Sequence, residues 1–456
     1  MVEDNKKIYL LRDEKIPVAL IKLGIPAMIG MMVSAFYNIV DSYFVGKLGT
    51  SQMAAVSIVY PLSLIILAVG LLFGCGAGNH ISRLLGNKEY EKASEYASTA
   101  IFTSMIVGGI IVSLMLIFIN PLLKAIGATD TIMVYAKEYG VLFIIGLFIN
   151  VFNSTFTNIM TSEGASLYSM VSMVLGSISN LVLDPLLIIT FGFGVKGAAM
   201  ATLVSRIISL AINLSYIFFS NSVLKISLSK FKPYKEIYLE IFKLGMPMLA
   251  YQFLTSFSLS LTNLFASDYG DNAVAGLGVV SRVMSLATMT VFGFLRGYQP
   301  IVAYNYGAKR MDRVKKVTHI SLLWTTIFSI IVAAICIVFS KDIIYLFTKN
   351  DINVVDVGSK ALIVNAILFI FMGFQGVYSY MFLGLGMAKE GGLICMGRQG
   401  IFFIPVIIIF SFVFHLNGII MAQPVADALS VCLVFILINK HKSSLKLQNR
   451  VDMQKY

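Results

Sequence analysis

The chain is poor in charge. Asp, Glu, Lys and Arg make up only 13% of its 456 residues, about half of what soluble domains carry. A length that ordinarily means about three soluble domains is here 58% hydrophobic, with a mean hydropathy of +0.85. No globular core hides that much apolar surface. Cysteine is scarce and isolated: Cys75, Cys336, Cys395 and Cys432 stand singly in apolar stretches. With no C-x-x-C spacing, a disulfide framework and a thiolate metal centre are excluded, and small buried hydrophobes remain. His80, His319, His415 and His441 are equally scattered, so no zinc or haem site is visible. A phosphate-binding G-x-x-x-x-G-K-[ST] loop is missing, so ATP is not the direct energy source. Sustained period-two alternation is missing too, which excludes a β-barrel. What is left is a helical integral membrane protein.

Apolar stretches long enough to cross the hydrocarbon, about 20 residues each, recur twelve times: near 16–44, 53–79, 96–119, 132–159, 166–191, 198–219, 238–265, 273–299, 318–340, 359–384, 393–415 and 417–439. The first is too long for a signal-peptide core and lacks a small-residue cleavage site, so it is retained. With the N-terminus inside, 24 Lys and Arg fall in the inner connections, Arg398 of the 385–398 connection among them, and 6 in the outer ones. That asymmetry places both termini in the cytoplasm of a multi-pass inner-membrane protein. The net charge of +12 is thus a topology signal rather than a nucleic-acid footprint.

Sliding the chain by 221 residues lays Lys22-Leu-Gly-Ile-Pro26 on Lys243-Leu-Gly-Met-Pro247, Phe36 on Phe257, Phe44 on Phe265 and Gly49 on Gly270; segment 16–59 matches at ten of 44 positions. Gly197, Met200 and Ala201 meet Gly418, Met421 and Ala422 at the same offset, while the middle of each copy needs a one-residue slip. Each copy holds six spans, and an even number brings the second in with the orientation of the first. The expected fold is therefore all-α: twelve transmembrane helices as two six-helix lobes, related by a pseudo-twofold axis along the membrane normal. Residues 1–219 form the N-terminal lobe, 220–237 a basic cytoplasmic linker, 238–440 the C-terminal lobe and 441–456 a cytoplasmic tail. A cleft between rocking lobes favours a carrier over a fixed pore, acting as a monomer.

Ionisable groups inside a span cost about 2.5–3.5 kcal/mol at mid-helix and usually mark function. Asp41, Asp184 and Asp427 qualify. Asp41 and Asp184 lie late in outward-running spans and Thr202 early in an inward-running one, so all three share the outer half of the bilayer. Asn180 and Asp184, four apart, share a helix face. Pro185 removes a backbone donor and leaves the Leu181 carbonyl without its helical partner. This oxygen-rich set suits a shared proton or a sodium ion at Asp41, Asn180, Asp184 and Thr202. Their partners 221 residues on are Thr262, Ile401, Pro405 and Gln423. The second copy has lost the cluster, as a coupling site allows and a structural duty would not. Asp427 and Arg206, equivalent in the repeat, read as helix-packing charges.

Gly24 with Pro26 and Gly245 with Pro247 mark weak points in their helices, and Pro26, on the helix of Asp41, is the better hinge. Tyr37 and Asn38, within a turn of Asp41, together with Asn153, Asn158, Gln252, Thr255, Gln375 and Tyr378, are polar side chains placed to line a cleft. Interhelical hydrogen bonding explains most of them equally well.

KLGIPAMI…YNIVDSYFVGKLG in the first span, GNHISRLLGNKEYEKAS after the second, SNLVLDP in the fifth, QPIVAYNYGAKRMDRVKK after the eighth and RQGIFFIP in the eleventh resemble the multidrug and toxic compound extrusion (MATE) family, over nearly the whole chain. The resemblance implies the DinF-like, MepA-like branch: a cation site at Asp41, Asn180, Asp184 and Thr202, and bending of the first helix at Pro26. The NorM-like branch carries acidic residues in spans 7 and 10, where this chain has Gln252, Thr255 and Gln375 instead.

The expected function is secondary active efflux of amphipathic, often cationic, organic drugs or metabolites against protons or sodium, with no cofactor. A lipid-linked saccharide flippase of the same superfamily is the alternative, resting on the intramembrane Arg206, Arg282 and Arg296. An intramembrane enzyme would want paired histidines, a Ser/Lys dyad or metal ligands on facing helices, and no such set appears.

Overall fold

In the computed structural model, residues 5–348 and 351–453 are described; the side chains of Asn38, Ile39, Ser42, Thr50 and of 442 onward lie outside that description. Every regular element among the described residues is helical. The N-terminal half contains α1 (Lys6–Arg12), α2 (Ile16–Gly46), α3 (Thr50–Gly86), α4 (Tyr90–Ile117), α5 (Ile119–Ala125), α6 (Asp130–Ser162), α7 (Ser166–Pro185) and α8 (Gly194–Phe219). The C-terminal half contains α9 (Lys235–Ser267), α10 (Asp271–Gly307), α11 (Met311–Val338), α12 (Ser340–Thr348), α13 (Ile352–Phe369), α14 (Met372–Gly384), α15 (Ala388–Met396) and α16 (Phe403–Met453).

Ten continuous helical stretches among the described residues are long and apolar enough to cross a bilayer. One of them, Ala388–His441, folds back at His415 (φ 54°, ψ −135°) and so supplies two spans. The 33-residue α9, interrupted by polar side chains, completes the twelve. Phe218, Phe219, Phe412 and Ile436 on the outer surface stay exposed, as lipid-facing side chains do. Helices overrun the expected spans where their polar ends leave the hydrocarbon: α3 reaches Gly86 where 79 was expected. The tenth span is broken between α13 and α14, whereas its counterpart α6 is continuous.

The duplication is written into the helix ends. α3 and α10 both have 37 residues, and α4 and α11 both have 28; their starts differ by 221. The residue before α3, Gly49, has φ 123°, and the one before α10, Gly270, has φ 89°. Lys88 (φ 64°) and Lys309 (φ 58°) repeat the same left-handed turn. The slip in the middle is visible too: the positive-φ glycines Gly164 and Gly386 stand 222 apart.

The lobes meet along α2 against α10 and α3 against α9, and at one end they meet backbone to backbone. A Cβ on Gly86 would strike the Tyr304 carbonyl oxygen, and one on Gly307 the Arg83 carbonyl oxygen. These two contacts are exchanged by the 221-residue repeat, as a twofold relation between lobes requires. Gly76 against Ile241 and Gly297 against Leu23 add a second rung of the same kind. Side chains at these glycines would hold the helices apart, so the sequence needs glycine to seal this end.

Polar bonds gather there as well. Asn305 Nδ2 donates to the Leu11 carbonyl at 2.9 Å, and Arg310 Nη1 reaches Asp13 Oδ1 at 2.8 Å. Burial pulls the Asp13 carboxyl upward, but Arg310 and Arg12 outweigh it and leave it below the usual carboxylate range. Glu163, buried after α6, accepts from the Ser222 hydroxyl at 3.0 Å and from the Val223 and Leu224 N–H groups at 3.2 and 3.3 Å. Lys7 Nζ stands 3.5 Å from the same carboxylate. The amphipathic α1 and the linker are thereby clamped to this end of the bundle.

Candidate functional site

Two features lie away from the sealed end: a carboxylate pair inside the N-terminal lobe and a cavity between the lobes. Asp41 comes from the last third of α2, Asp184 and Asn180 from one face of α7, and Thr202 from the third turn of α8. Asp41 and Asp184 come within hydrogen-bonding reach of each other. Asp184 is fully buried, and Asn180 and Thr202 are nearly so. In the amide orientation that satisfies both neighbours, Asn180 donates to Asp184 Oδ2 at 3.0 Å and accepts from the Thr202 backbone N–H at 3.3 Å. Asp41 Oδ1 is buried with no hydrogen-bond partner among the described residues.

Two acceptor-only carboxylates cannot bond each other without a proton or a cation between them. The pair therefore has a built-in demand for one positive particle, and Asp41 Oδ1 offers it an unused oxygen. All four residues expected from the sequence are brought together, although Thr202 joins through its backbone N–H.

The sequence reading missed two neighbours. Arg206 is not merely a packing charge: it lies in the electrostatic reach of Asp41, stacks over the Phe143 ring at 4.8 Å and donates to the Phe143 carbonyl at 3.4 Å. It stands one helical turn after Thr202, a spacing that would have flagged it. Tyr139, from α6, stacks on Phe143 at 5.0 Å within the electrostatic reach of Asp41, Asp184, Arg206 and Tyr37 and carries no such signal. Tyr37 belongs to this cluster rather than to the cleft. With both aspartates ionised, Arg206 leaves one negative charge uncompensated.

The inter-lobe cavity has a volume of about 560 Å³, room for one drug-sized molecule. Asn158, Gln252 and Thr255 line it, as expected. Asn153, Gln375 and Tyr378 do not, each being consumed within its lobe. Asn153 donates to the Arg206 carbonyl and accepts from Asn213; Gln375 donates to the Asp427 carbonyl at 2.8 Å; Tyr378 packs edge-on against Phe374. The side chain of Asn38 lies outside the described residues. Pro26 sits inside an unbroken α2.

Asp427 pairs with Arg398, not with its repeat equivalent: Arg398 Nε to Asp427 Oδ1 is 2.8 Å, and Gln423 donates to the same oxygen at 2.9 Å. Arg398, counted with the inner connections by sequence, is instead buried in the lobe at the cavity wall. Breaking such a buried pair by removing one partner costs about 3–5 kcal/mol. Arg398→Ala is therefore expected to lower the thermal midpoint of the purified protein far more than Arg398→Ala combined with Asp427→Ala. A single substitution no worse than the double would show that the pair does not hold the lobe together.

Twelve helices in two repeated six-helix lobes, sealed at one end around a shared cavity, define a membrane transporter rather than an enzyme. The MatE family model matches residues 26–186 and 247–409, and the chain belongs to that family. It is 28% identical to the multidrug export protein MepA of Staphylococcus saprophyticus, over 95% of this chain and 96% of the relative. To MepA of Staphylococcus aureus it is 29% identical, over 95% and 96%. A solved structure described as the outward-facing conformation of a multidrug resistance MATE family transporter superposes with a TM-score of 0.91 at 28% identity, covering 97% of this chain and 99% of the other.

Proposed function

We propose that this multi-pass inner-membrane transporter works as a monomer, with both termini in the cytoplasm, and exports amphipathic organic compounds in exchange for a proton or sodium ion taken up at the Asp41–Asp184 pair. The observation that carries the coupling is the pair itself: two carboxylates within reach of each other, with an unpartnered buried oxygen and one arginine nearby. One bound cation leaves the two aspartates and Arg206 neutral, so the charge count supports one cation per cycle. As a coupled pair, the aspartates titrate together rather than singly.

With the clamped end cytoplasmic, the cavity faces outward. Cation binding removes the uncompensated charge, lets α2 repack around Pro26 and loosens the cavity's hold on its cargo. One charge crossing about 100 mV supplies about 2.3 kcal/mol, enough for a gradient of roughly fortyfold. Multidrug export is the activity in the names of the MepA relatives, and a drug-sized cavity agrees with it. The flippase reading loses two of its three supports, because Arg206 is engaged beside Asp41 and Arg282 is absent from the cavity lining, and keeps only Arg296, which does line the cavity.

The test is transport by proteoliposomes with pH and sodium gradients imposed independently. Drug movement that follows one gradient and reverses with it is expected; movement indifferent to both would end the proposal.

A further inference from the structure

The cavity wall has a charge of its own, distinct from the coupling pair. Among the described residues that line it, the charged ones are Arg296 and Arg398, and there is no carboxylate. Arg296 stands on α10, half-buried, with no hydrogen bond or ion pair among the described residues. Its charge reaches Cys75 of the opposite lobe and Tyr380 of its own. Arg398 is 8% exposed, spends Nε on Asp427 and keeps Nη1 without a partner among the described residues.

An apolar shelf joins the two arginines. Phe292 lies one helical turn before Arg296, on the same face. Its ring packs edge-on to Tyr251 at 5.8 Å and tilted to Tyr380 at 6.0 Å, and Tyr251 in turn lies in the field of Arg398. All five side chains line the cavity. Guanidinium groups match carboxylate, sulfonate and phosphate oxygens in a forked geometry, and an aromatic floor holds a flat apolar body. A cation entering here would meet the uncompensated charge of Arg296, while Arg398 is already balanced by Asp427 behind the wall.

We propose that the inter-lobe cavity selects anionic amphiphiles, holding the acidic headgroup at the unpaired Arg296 and the apolar body on the Tyr251–Phe292–Tyr380 shelf, with the free Nη1 of Arg398 at the far end of that shelf. This rests on the export reading and names its cargo class. It also fits the division of labour in the fold: the lobe that has lost the carboxylate pair supplies both arginines.

The experiment uses the full-length protein in nanodiscs of zwitterionic lipid. Three naphthalene probes are compared at equilibrium, identical except for a sulfonate, a neutral amide or a trimethylammonium group. The sulfonate is expected to bind at least about tenfold tighter than the cation, the scale of one charge-assisted hydrogen bond. Arg296→Gln should remove most of that preference and leave the neutral probe unchanged. Because Arg398→Gln alone strands Asp427, the second variant is Arg398→Gln with Asp427→Asn, which should act in the same direction.

Equal or tighter binding of the cation, or a preference untouched by both variants, would overturn the proposal. Adding phosphatidylglycerol to the nanodiscs separates the sources of the headgroup. Competition with the sulfonate assigns the site to lipid phosphate, and unaltered binding assigns it to a free amphiphile. Gradient-driven uptake of the same probes into proteoliposomes keeps the two readings apart. Anion-selective binding without driven transport defeats the export reading alone, whereas driven transport with no charge preference defeats only this one.

Discussion

Asp41→Asn should reduce ion-driven efflux in proteoliposomes to the leak rate of empty vesicles while the protein still folds and inserts. The amide nearly matches the carboxylate in shape, so packing around α2 is kept. It cannot take up a proton, however, and its NH2 group can donate to Asp184. The acceptor–acceptor contact that demands a cation thereby becomes an ordinary hydrogen bond. Arg206 is then balanced by Asp184 alone, and the site is neutral with no ion bound. A cycle whose driving ion no longer changes the charge of the lobe has nothing to couple. Wild-type efflux under an imposed gradient from a correctly inserted Asp41→Asn protein would mean that the ion acts elsewhere. Asp184→Asn tests the same geometry from the other side and should behave alike.

Gly307→Leu should force the sealed end of the bundle open. The Gly307 position lies so close to the Arg83 carbonyl that a Cβ cannot be accommodated, and its repeat partner Gly86 is equally tight on Tyr304. Overpacking typically costs about 1–3 kcal/mol, and at a backbone-to-backbone contact the upper value is the better guide. About 3 kcal/mol moves a two-state ratio by more than a hundredfold. Spin labels at the exposed Lys92 and Lys315 should report a longer distance across this end, and efflux should stall because the seal cannot re-form. Gly278→Leu, where a Cβ meets nothing within 4 Å, is the control and should do neither. An unchanged label distance in Gly307→Leu would show that the seam gives way locally and does not gate the lobes.

Much of this molecule is legible before any fold is known. A bilayer leaves the chain few options, since every backbone polar group must be satisfied within a helix or a closed barrel. Run length and composition therefore count the spans, and the repeated Lys-Leu-Gly-x-Pro segment announces the second lobe. The carboxylate cluster could be found because intramembrane charge is rare enough that each instance asks for a reason, and the repeat shows that only one copy has it. Where that logic reached further, to the polar residues of a cleft, three of the seven describable candidates line the cavity and four do not. Asn158 and Gln252 face the cavity, but Asn153 and Gln375 are spent on carbonyls inside their lobes, and nothing in the spacing separates the two kinds.

Helix number, the duplication and the location of the aspartates follow from local constraints that act on a segment whatever its neighbours are: hydrocarbon thickness, the cost of buried charge, and the three-to-four residue periodicity of one helix face. Partnership does not. That Arg206 serves Asp41 while its equivalent Asp427 is tied to Arg398, that Tyr139 comes within electrostatic reach of the carboxylate pair, and that Arg296 is left unpaired at the cavity wall all depend on how helices distant in the chain rotate against each other. Rotating a helix about its axis by half a turn leaves its composition unchanged and exchanges every partner it has, and only the packing of both lobes decides that rotation.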